Sequence, residues 1–169
     1  TVRQGVTTIV GGNCGSSLFP LSGGNIAAER ESLRAEYGIE VKWEDLRGFL
    51  SQVEERGLAL NYSTLVGQGS IRAAAMGFGG RRPTTDELEL MKKMVTRSME
   101  QGALGLSTGL EYTPGSSADA GEIIELCRSI APYKGVYATH MRDEEDGVLE
   151  ALDEAIRISR GARVKLQIS

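Results

Sequence analysis

One cysteine and the sole histidine are the side chains best suited to carry chemistry. Cys14 stands in a glycine-rich segment after an apolar run, and His140 ends a second such run. Thiolate sulfur and imidazole nitrogen are preferred ligands of zinc, which needs three or four ligands in a tetrahedral array. Because two ligands are too few, spacing alone leaves a buried cysteine and a structural histidine as the simpler interpretation.

A serine in the middle of the chain offers a metal-independent alternative. Residues 105–109, GLSTG, have the G-x-S-x-G spacing of the nucleophile elbow in α/β-hydrolases, with Ser107 as the serine. That motif requires a helix directly after the turn, whereas residues 110–115, LEYTPG, are typical of a loop. A cysteine or serine hydrolase that uses Cys14 or Ser107 with His140 therefore stays as an alternative.

Three further patterns favour structural roles. Residues 67–72, GQGSIR, begin like a dinucleotide-binding fingerprint, but Arg72 replaces the third glycine and we expect a tight loop rather than a helix. The four acids at 143–146 are expected at the start of a helix, where they meet its dipole favourably. Cys127 lies among apolar neighbours of a predicted helix and is expected in the core.

Strands and helices alternate along the chain, and these elements must position the reactive groups. Apolar, β-branched runs predict five buried strands, at residues 6–10, 58–66, 103–107, 136–139 and 164–168. Amphipathic spacing predicts helices at residues 43–56, 85–101, 120–130 and 148–159. The alternation indicates βαβ units, with helices outside a mostly parallel sheet that is either open or closed into a barrel. Functional groups are then expected at the carboxyl ends of the strands.

Length and chain ends suggest an incomplete unit. The 169 residues suffice for one domain with a core but fall short of the about 250 residues of a complete α/β barrel. Strands predicted at both ends would leave unpaired edges, so we expect a fragment. Residues 15–39 are too long for a simple βα loop and predict an insertion, at about 15–40, over the carboxyl end of the sheet.

Composition argues against several classes of partner. The chain has 19 basic and 23 acidic residues, and no dense basic block that could follow a phosphate backbone. It has no apolar run near the roughly 20 residues of a membrane span, and its start lacks the order of a signal peptide. Cys14 and Cys127 lie too far apart for a CxxC motif. We expect a soluble, cytoplasmic protein that binds neither nucleic acid nor membranes; its oligomeric state is unknown.

Four segments, in consistent order, resemble the N-acyl-D-amino-acid deacylases, or D-aminoacylases, of the amidohydrolase superfamily. Residues 5–15, GVTTIVGGNCG, resemble the family's G-V-T-T-V-V-x-G-N-C-G. Residues 65–72, LVGQGSIR, are similar to L-V-G-H-G-x-L-R, and residues 105–114, GLSTGLEYTP, to G-L-S-x-G-L-x-Y-x-P. Residues 137–144, YATHMRDE, resemble Y-x-x-H-x-R-x-E, so the matches span nearly the whole chain.

The resemblance implies a fold and a metal site. The fold would be α/β, a partial (β/α)₈ TIM-like barrel with about strands 2 to 6, and residues 1–169 would be an internal fragment of the catalytic barrel. Cys14 and His140 would be two ligands of a catalytic zinc. A third, a histidine directly after Ser169, an H-x-H pair and a catalytic aspartate would lie outside this chain. We therefore expect an incomplete zinc site and no catalysis by the isolated fragment.

The resemblance also implies an activity, zinc-dependent hydrolysis of N-acyl-D-amino acids to a carboxylate and a free D-amino acid. The zinc would serve as a Lewis acid toward the acyl carbonyl and toward water. Tyr112 would be catalytic and hydrogen-bond the substrate carbonyl, unless it is a loop-packing aromatic. Gln68 departs from the family's usual histidine, and Arg142 faces either an anionic substrate or nearby acids. A non-catalytic α/β domain is the remaining alternative.

Overall fold

The fold alternates strands with helices, as the hydrophobic pattern predicts. The computed structural model describes residues 2–169; Thr1 of the predicted 1–169 segment lies outside them. The strands are β1 (Thr8–Gly11), β2 (Asn61–Thr64), β3 (Val66–Gly67), β4 (Gly105–Gly109), β5 (Val136–His140) and β6 (Lys165–Ile168). The helices are α1 (Ile26–Tyr37), α2 (Leu46–Arg56), α3 (Gln68–Met76), α4 (Thr85–Glu100), α5 (Ala120–Ile130) and α6 (Val148–Ala162). Short 3-10 turns lie at Val2–Gln4, Gly115–Ser117 and Ala131–Tyr133.

All strand pairs are parallel. β1 pairs with β2, and β3 to β6 follow one another in chain order. Leu65 separates β2 from β3, but its amide donates to the Gly11 carbonyl at 3.0 Å, and the amide of Leu104 donates to the Thr64 carbonyl at 2.8 Å. β2 and β3 therefore act as one bent strand. The predicted α/β fold with five parallel strand positions is confirmed.

Helices α4, α5 and α6 connect successive strands from β3 to β6, and their apolar faces form the core with β4 and β5. Fully buried core side chains include Leu106, Met91, Val95, Ile123, Leu126, Cys127, Ile130, Tyr137 and Ile158. The expected core position of Cys127 is thus confirmed, and burial raises the pKa of its thiol. The start of α4 is fixed by a capping box, in which Thr84 accepts from the Glu87 amide and Glu87 accepts from the Thr84 amide.

The two outer strands are exposed, so the prediction of five buried strands was wrong for two of them. Ile9 and Val10 of β1 are 38% and 46% exposed, and Ile168 of β6 is 38% exposed. Among the described residues β1 pairs only with β2, and β6 only with β5. Their apolar side chains are typical of strands with partners on both sides, which is why the sequence pattern suggested burial.

A helix begins where a loop was expected, so that prediction was wrong. α3 starts at Gln68, directly after β3, and buries Ile71, Ala73 and Ala74. Gly69 is needed because a Cβ there would lie 2.8 Å from the Gly15 carbonyl oxygen. The glycines suggested a turn, but here they permit the helix to approach another backbone. The amino end of α3 thus packs against the Gly15 backbone. In a phosphate-binding loop, by contrast, the backbone amides at the start of the helix point to the ligand.

The predicted insertion contains a helix. α1 occupies residues 26–37 and ends at Gly38, whose φ of 65° is left-handed. The segment before α1 packs on the α2 region: Leu21 donates its amide to Glu44, and Trp43 Nε1 donates to the Leu18 carbonyl. Trp43 lies before α2 rather than within it, because Asp45 caps that helix by accepting from the Gly48 amide.

Candidate functional site

The carboxyl ends of β1, β4 and β5 bring Cys14, Tyr112 and His140 to one region. Cys14 follows β1 by three residues, and His140 is the last residue of β5. In the parallel ladder His140 pairs with Gly109, the last residue of β4. The Cys14 carbonyl packs so closely on Gly109 that a Cβ at this glycine would overlap it. The Cys14 turn and the end of β5 therefore both contact the end of β4 at Gly109.

The turn that presents Cys14 has an uncommon backbone. Cys14 has a φ of 52°, and the glycines before and after it, Gly12 and Gly15, have φ values of 76° and 74°. Left-handed conformations cost little only for glycine, so these glycines let the chain wrap around Cys14. Ser107 fastens the turn to β4, because its hydroxyl accepts from the Gly15 amide and donates to the Gly12 carbonyl. The Cys14 residue remains partly exposed.

Two carboxylates and a phenol surround the His140 ring. Its Nε2 atom lies 3.0 Å from Glu111 Oε2, 3.7 Å from Glu144 Oε1 and 3.4 Å from the Tyr112 hydroxyl. The side chain of His140 is 17% exposed, whereas those of Glu111 and Glu144 are 59% and 50% exposed. The two carboxylates attract a positively charged group, such as a metal ion, to the surroundings of Nε2. The sequence predicted only a helix start for Glu144 and no role for Glu111, although both belong to the segments that matched the family.

Tyr112 packs edge-on against His140. The ring centroids are 4.9 Å apart and the planes meet at 70°. Desolvation, followed by the negative charges of Glu111, Cys14 and Glu144, raises the pKa of the Tyr112 phenol above its usual value. The hydroxyl therefore stays protonated at neutral pH and can donate a hydrogen bond. The pairing argues against a role in loop packing alone, because Tyr112 remains 48% exposed.

A cavity of about 340 Å³ adjoins these groups. Its lining includes Cys14 and Tyr112, together with Asn25, Glu29 and Ser70. Asn25 and Glu29 belong to the insertion, so this segment does contribute to the carboxyl end of the sheet. The cavity is large enough for a small organic molecule beside the cysteine and the tyrosine.

Ser107 is not placed as a nucleophile. It lies within β4 rather than at a strand-to-helix turn, it is fully buried, and its hydroxyl is bound to backbone atoms of the Cys14 turn. The imidazole of His140 is directed to Glu111 and Tyr112. The serine-hydrolase alternative therefore fails on both burial and geometry.

Gln68 belongs to a buried polar network. Its Nε2 donates to Glu122 Oε1 at 3.1 Å, and the other oxygen of Glu122 pairs with the Arg72 guanidinium. Arg72 also donates to the Arg81 carbonyl at 2.8 Å. This network joins α3 to α5, so the amide of Gln68 serves packing between two helices.

Arg142 and the acidic run have structural partners. Arg142 forms a bidentate ion pair with Glu154, so the interpretation as an ion pair with nearby acids holds. Asp143 caps the turn before α6 by accepting from the amides of Glu145 and Gly147. The acids were predicted at the start of a helix. They lie in the turn just before α6, which begins at Val148.

The donor set fits part of a zinc site. Cys14 and His140 supply a thiol and an imidazole at the end of β4, where the Cys14 carbonyl packs on Gly109 and His140 pairs with Gly109, and both neighbour Tyr112. Within residues 2–169, no group of three or more His, Cys, Asp or Glu side chains has the geometry to hold a metal ion. A site that uses Cys14 and His140 would thus need a further ligand.

None of the helices described in residues 2–169 is both long and apolar enough to cross a membrane. Cys14 and Cys127 are both free thiols.

The chain is similar over nearly its whole length to three curated enzymes of Alcaligenes xylosoxydans xylosoxydans. It is 39% identical to a D-aminoacylase over 168 residues, which cover 99% of the chain and 34% of that enzyme. It is 38% identical to an N-acyl-D-aspartate deacylase and 35% identical to an N-acyl-D-glutamate deacylase, covering 32% of each. The chain therefore spans about a third of the length of these relatives. No family model matches it.

Solved structures of related enzymes share the fold of this chain. A crystal structure of D-aminoacylase, from a subset of amidohydrolases, superposes with a TM-score of 0.87 at 38% identity, covering 99% of this chain and 35% of that one. The N-acyl-D-glutamate deacylase of Bordetella bronchiseptica, complexed with zinc and a phosphonate mimic of the tetrahedral intermediate, gives 0.84 at 33% identity and covers 34% of that chain. These neighbours are TIM-barrel enzymes, so the predicted barrel type is confirmed for the part covered.

Gly109→Ala tests the contact between the Cys14 turn and β4. The new methyl group would overlap the Cys14 carbonyl and lie 3.0 Å from the Tyr112 ring. We expect the free energy of unfolding to fall by about 1–3 kcal/mol, as for other overpacked sites, and the zinc affinity of the full-length protein to weaken. Denaturant unfolding and zinc titration measure both.

Gly23→Ala is the matched control, because a Cβ at Gly23 meets open space. It should leave stability and zinc affinity close to the original values. Equal behaviour of the two variants would contradict the close contact that holds the Cys14 turn.

Proposed function

The chain belongs to the N-acyl-D-amino-acid deacylase family of amidohydrolases, and we propose that it forms part of a zinc-dependent enzyme of this class. The reaction is hydrolysis of the amide bond of an N-acyl-D-amino acid, which yields a carboxylate and a free D-amino acid. One observation supports this most directly: Cys14, His140 and Tyr112 gather at neighbouring strand ends, in a chain 39% identical to a D-aminoacylase.

Residues 1–169 are, in this proposal, an internal segment of the catalytic barrel with an insertion at about 15–40. The match to only 34% or 35% of the relatives' length supports this arrangement. The exposed apolar residues of β1 and β6 support it as well, since further strands on both sides would cover them. The activity accordingly belongs to the full-length protein that carries this chain.

Cys14 and His140 are the proposed metal ligands. Glycines at either side leave room around the cysteine, and the carboxylates of Glu111 and Glu144 favour positive charge near His140 Nε2. We propose zinc because it is present in the related Bordetella structure, although a related D-aminoacylase mutant was solved with copper. When bound, zinc supplies a Lewis acid for the acyl carbonyl and for water.

Tyr112 is the proposed catalytic residue of this segment. Its hydroxyl remains protonated at neutral pH and lies beside the imidazole of His140. From there it would donate to the acyl oxygen as negative charge develops on that atom. A donor that is already oriented stabilises the transition state more than the neutral amide, which increases the rate.

The substrate is a small molecule that enters through the cavity beside Cys14 and Tyr112. Free thiols at Cys14 and Cys127 are consistent with a cytoplasmic location, which we retain as part of the proposal. The proposal includes neither nucleic acid nor a membrane as a partner.

Cys14→Ala should abolish both zinc binding and turnover in the full-length protein, because loss of the thiolate removes a ligand. Metal analysis after dialysis and hydrolysis of N-acetyl-D-amino acids measure the two properties. Cys127→Ala is the control: it removes the other thiol, which is fully buried, and should leave zinc content unchanged.

The same assays separate this proposal from a cysteine hydrolase. A zinc enzyme loses activity with a chelator and regains it with zinc. Activity that survives chelation but ends on alkylation of Cys14 would favour the metal-independent alternative. Loss of zinc from Cys127→Ala but not from Cys14→Ala would also contradict the ligand assignment.

Tyr112→Phe should lower kcat by about 10²-fold or more, the typical effect of removing one donor to a developing oxyanion. KM and zinc content should change little, because the ring remains next to His140. Tyr133→Phe is the control, since that hydroxyl contacts only the exposed Glu100 at 3.4 Å. Equal kcat values for the two variants would exclude a catalytic role of Tyr112.

A further inference from the structure

Arg142 lies two residues after His140 and connects three parts of the fold. Its Nε and Nη2 atoms donate to the two carboxylate oxygens of Glu154 on α6, at 2.9 and 3.1 Å. Its Nη1 atom donates to the Ser116 carbonyl at 2.9 Å, and Nη2 donates to the Ala118 carbonyl at 2.8 Å. Four of the five N–H groups of the guanidinium are thus used.

Both carbonyls belong to the loop that carries Tyr112. This loop, residues 110–118, begins directly after β4, and its first amide, that of Leu110, donates to the His140 carbonyl at 3.1 Å. The loop is therefore tied to residues 140–142 at both ends, once by backbone and once by the Arg142 side chain. Between these ties, the Ser116 amide donates to the Tyr112 carbonyl at 2.8 Å.

The position of Tyr112 depends on these ties more than on core packing. Nearly half of Tyr112 is exposed, and its hydroxyl lies 3.4 Å from His140 Nε2. A half-exposed ring on a loop has no surrounding core to hold it in one place. The loop anchors on β5 therefore determine how Tyr112 faces the imidazole.

Glu154 holds the guanidinium in the required orientation. Its side chain is 13% exposed and that of Arg142 is 34% exposed, so the pair is partly shielded from water. The bidentate contact fixes the plane of the guanidinium, which leaves the remaining N–H groups aimed at the loop carbonyls. A lysine at this position has one ammonium group and cannot reach the same set of acceptors in a fixed plane.

We propose that Arg142 is a positioning residue for hydrolysis: it holds the 110–118 loop so that Tyr112 faces His140. The proposal rests on the function proposed above, because it assumes that Tyr112 acts on the substrate. It assigns Arg142 no contact with the substrate, since its donors are occupied by Glu154 and the loop.

Hydrogen exchange of the full-length protein tests the positioning itself, without any need for turnover. In Arg142→Ala the amides of Tyr112, Ser116 and Ala118 should exchange about tenfold faster or more, as expected when charge-assisted hydrogen bonds are lost. Amides of α4 should keep their protection. Arg157→Ala, which removes an exposed arginine of α6, is the control and should change neither segment.

Glu154→Gln provides a second variant in case Arg142→Ala does not fold. It retains the shape of the side chain but removes the charge that orients the guanidinium, so it should loosen the same loop to a smaller degree. Unchanged exchange in the loop, or equal acceleration in the loop and α4, would overturn the proposal. The second pattern would mean that Arg142 supports the fold as a whole.

Turnover then tests whether positioning matters for the reaction. Arg142→Ala should lower kcat with little change in KM, and added guanidinium ion should restore part of the loss, whereas Arg142→Lys should remain impaired. When Tyr112 is already replaced by Phe, adding Arg142→Ala should lower kcat only slightly further, because the two residues act through one interaction. Fully additive losses would overturn the link to Tyr112. Absence of turnover in the unmodified protein would refute the proposed function, while the exchange experiment would still decide the positioning.

Discussion

The site depends on close backbone contact between the Cys14 turn and its neighbours. The Gly15 carbonyl packs on Gly67 and Gly69, and the Cys14 carbonyl packs on Gly109. Side chains at these three glycines would push the turn away from the ends of β3 and β4. Because His140 pairs with Gly109, the same displacement would move the cysteine away from the imidazole. Small residues in this region therefore serve to bring two potential ligands to one place.

Charge around His140 complements this geometry. Glu111 and Glu144 direct carboxylate oxygens to the imidazole, so the pocket is suited to positive charge. Tyr112 stays protonated in the same surroundings. Arg142 pairs with Glu154 and donates to the Ser116 and Ala118 carbonyls at the far end of the loop. The acidic surroundings of His140 and the Arg142–Glu154 pair therefore have different roles. The first attracts positive charge, and the second holds the loop that carries Tyr112.

Much of the fold followed from hydrophobic spacing. The strands and the helices α4, α5 and α6 lie close to their predicted positions, because repeated apolar residues report which face is buried. The helix α3 did not follow, since Gly67 and Gly69 look like turn residues until the neighbouring Gly15 backbone is known. Burial of β1 was overestimated because its apolar residues are typical of a strand with two neighbours, whereas β1 pairs only with β2 among the described residues.

The candidate site was predictable only in part. Family-like segments pointed to Cys14, Tyr112 and His140, but no spacing rule places Glu111 and Glu144 beside an imidazole, because loops join them. The partner of Arg142 was open between a substrate and an acid until Glu154 was located on α6. Long-range contacts of this kind depend on how helices and loops pack around the sheet, which local sequence does not encode.

X-ray absorption spectroscopy of the zinc-loaded full-length protein tests the central claim most directly. If Cys14 and His140 share the metal, the spectrum should contain one sulfur scatterer at about 2.3 Å together with nitrogen or oxygen at about 2.0–2.1 Å. The sulfur contribution should disappear in Cys14→Ala and persist in Cys127→Ala. A spectrum of the unmodified protein with nitrogen and oxygen scatterers alone would contradict the account.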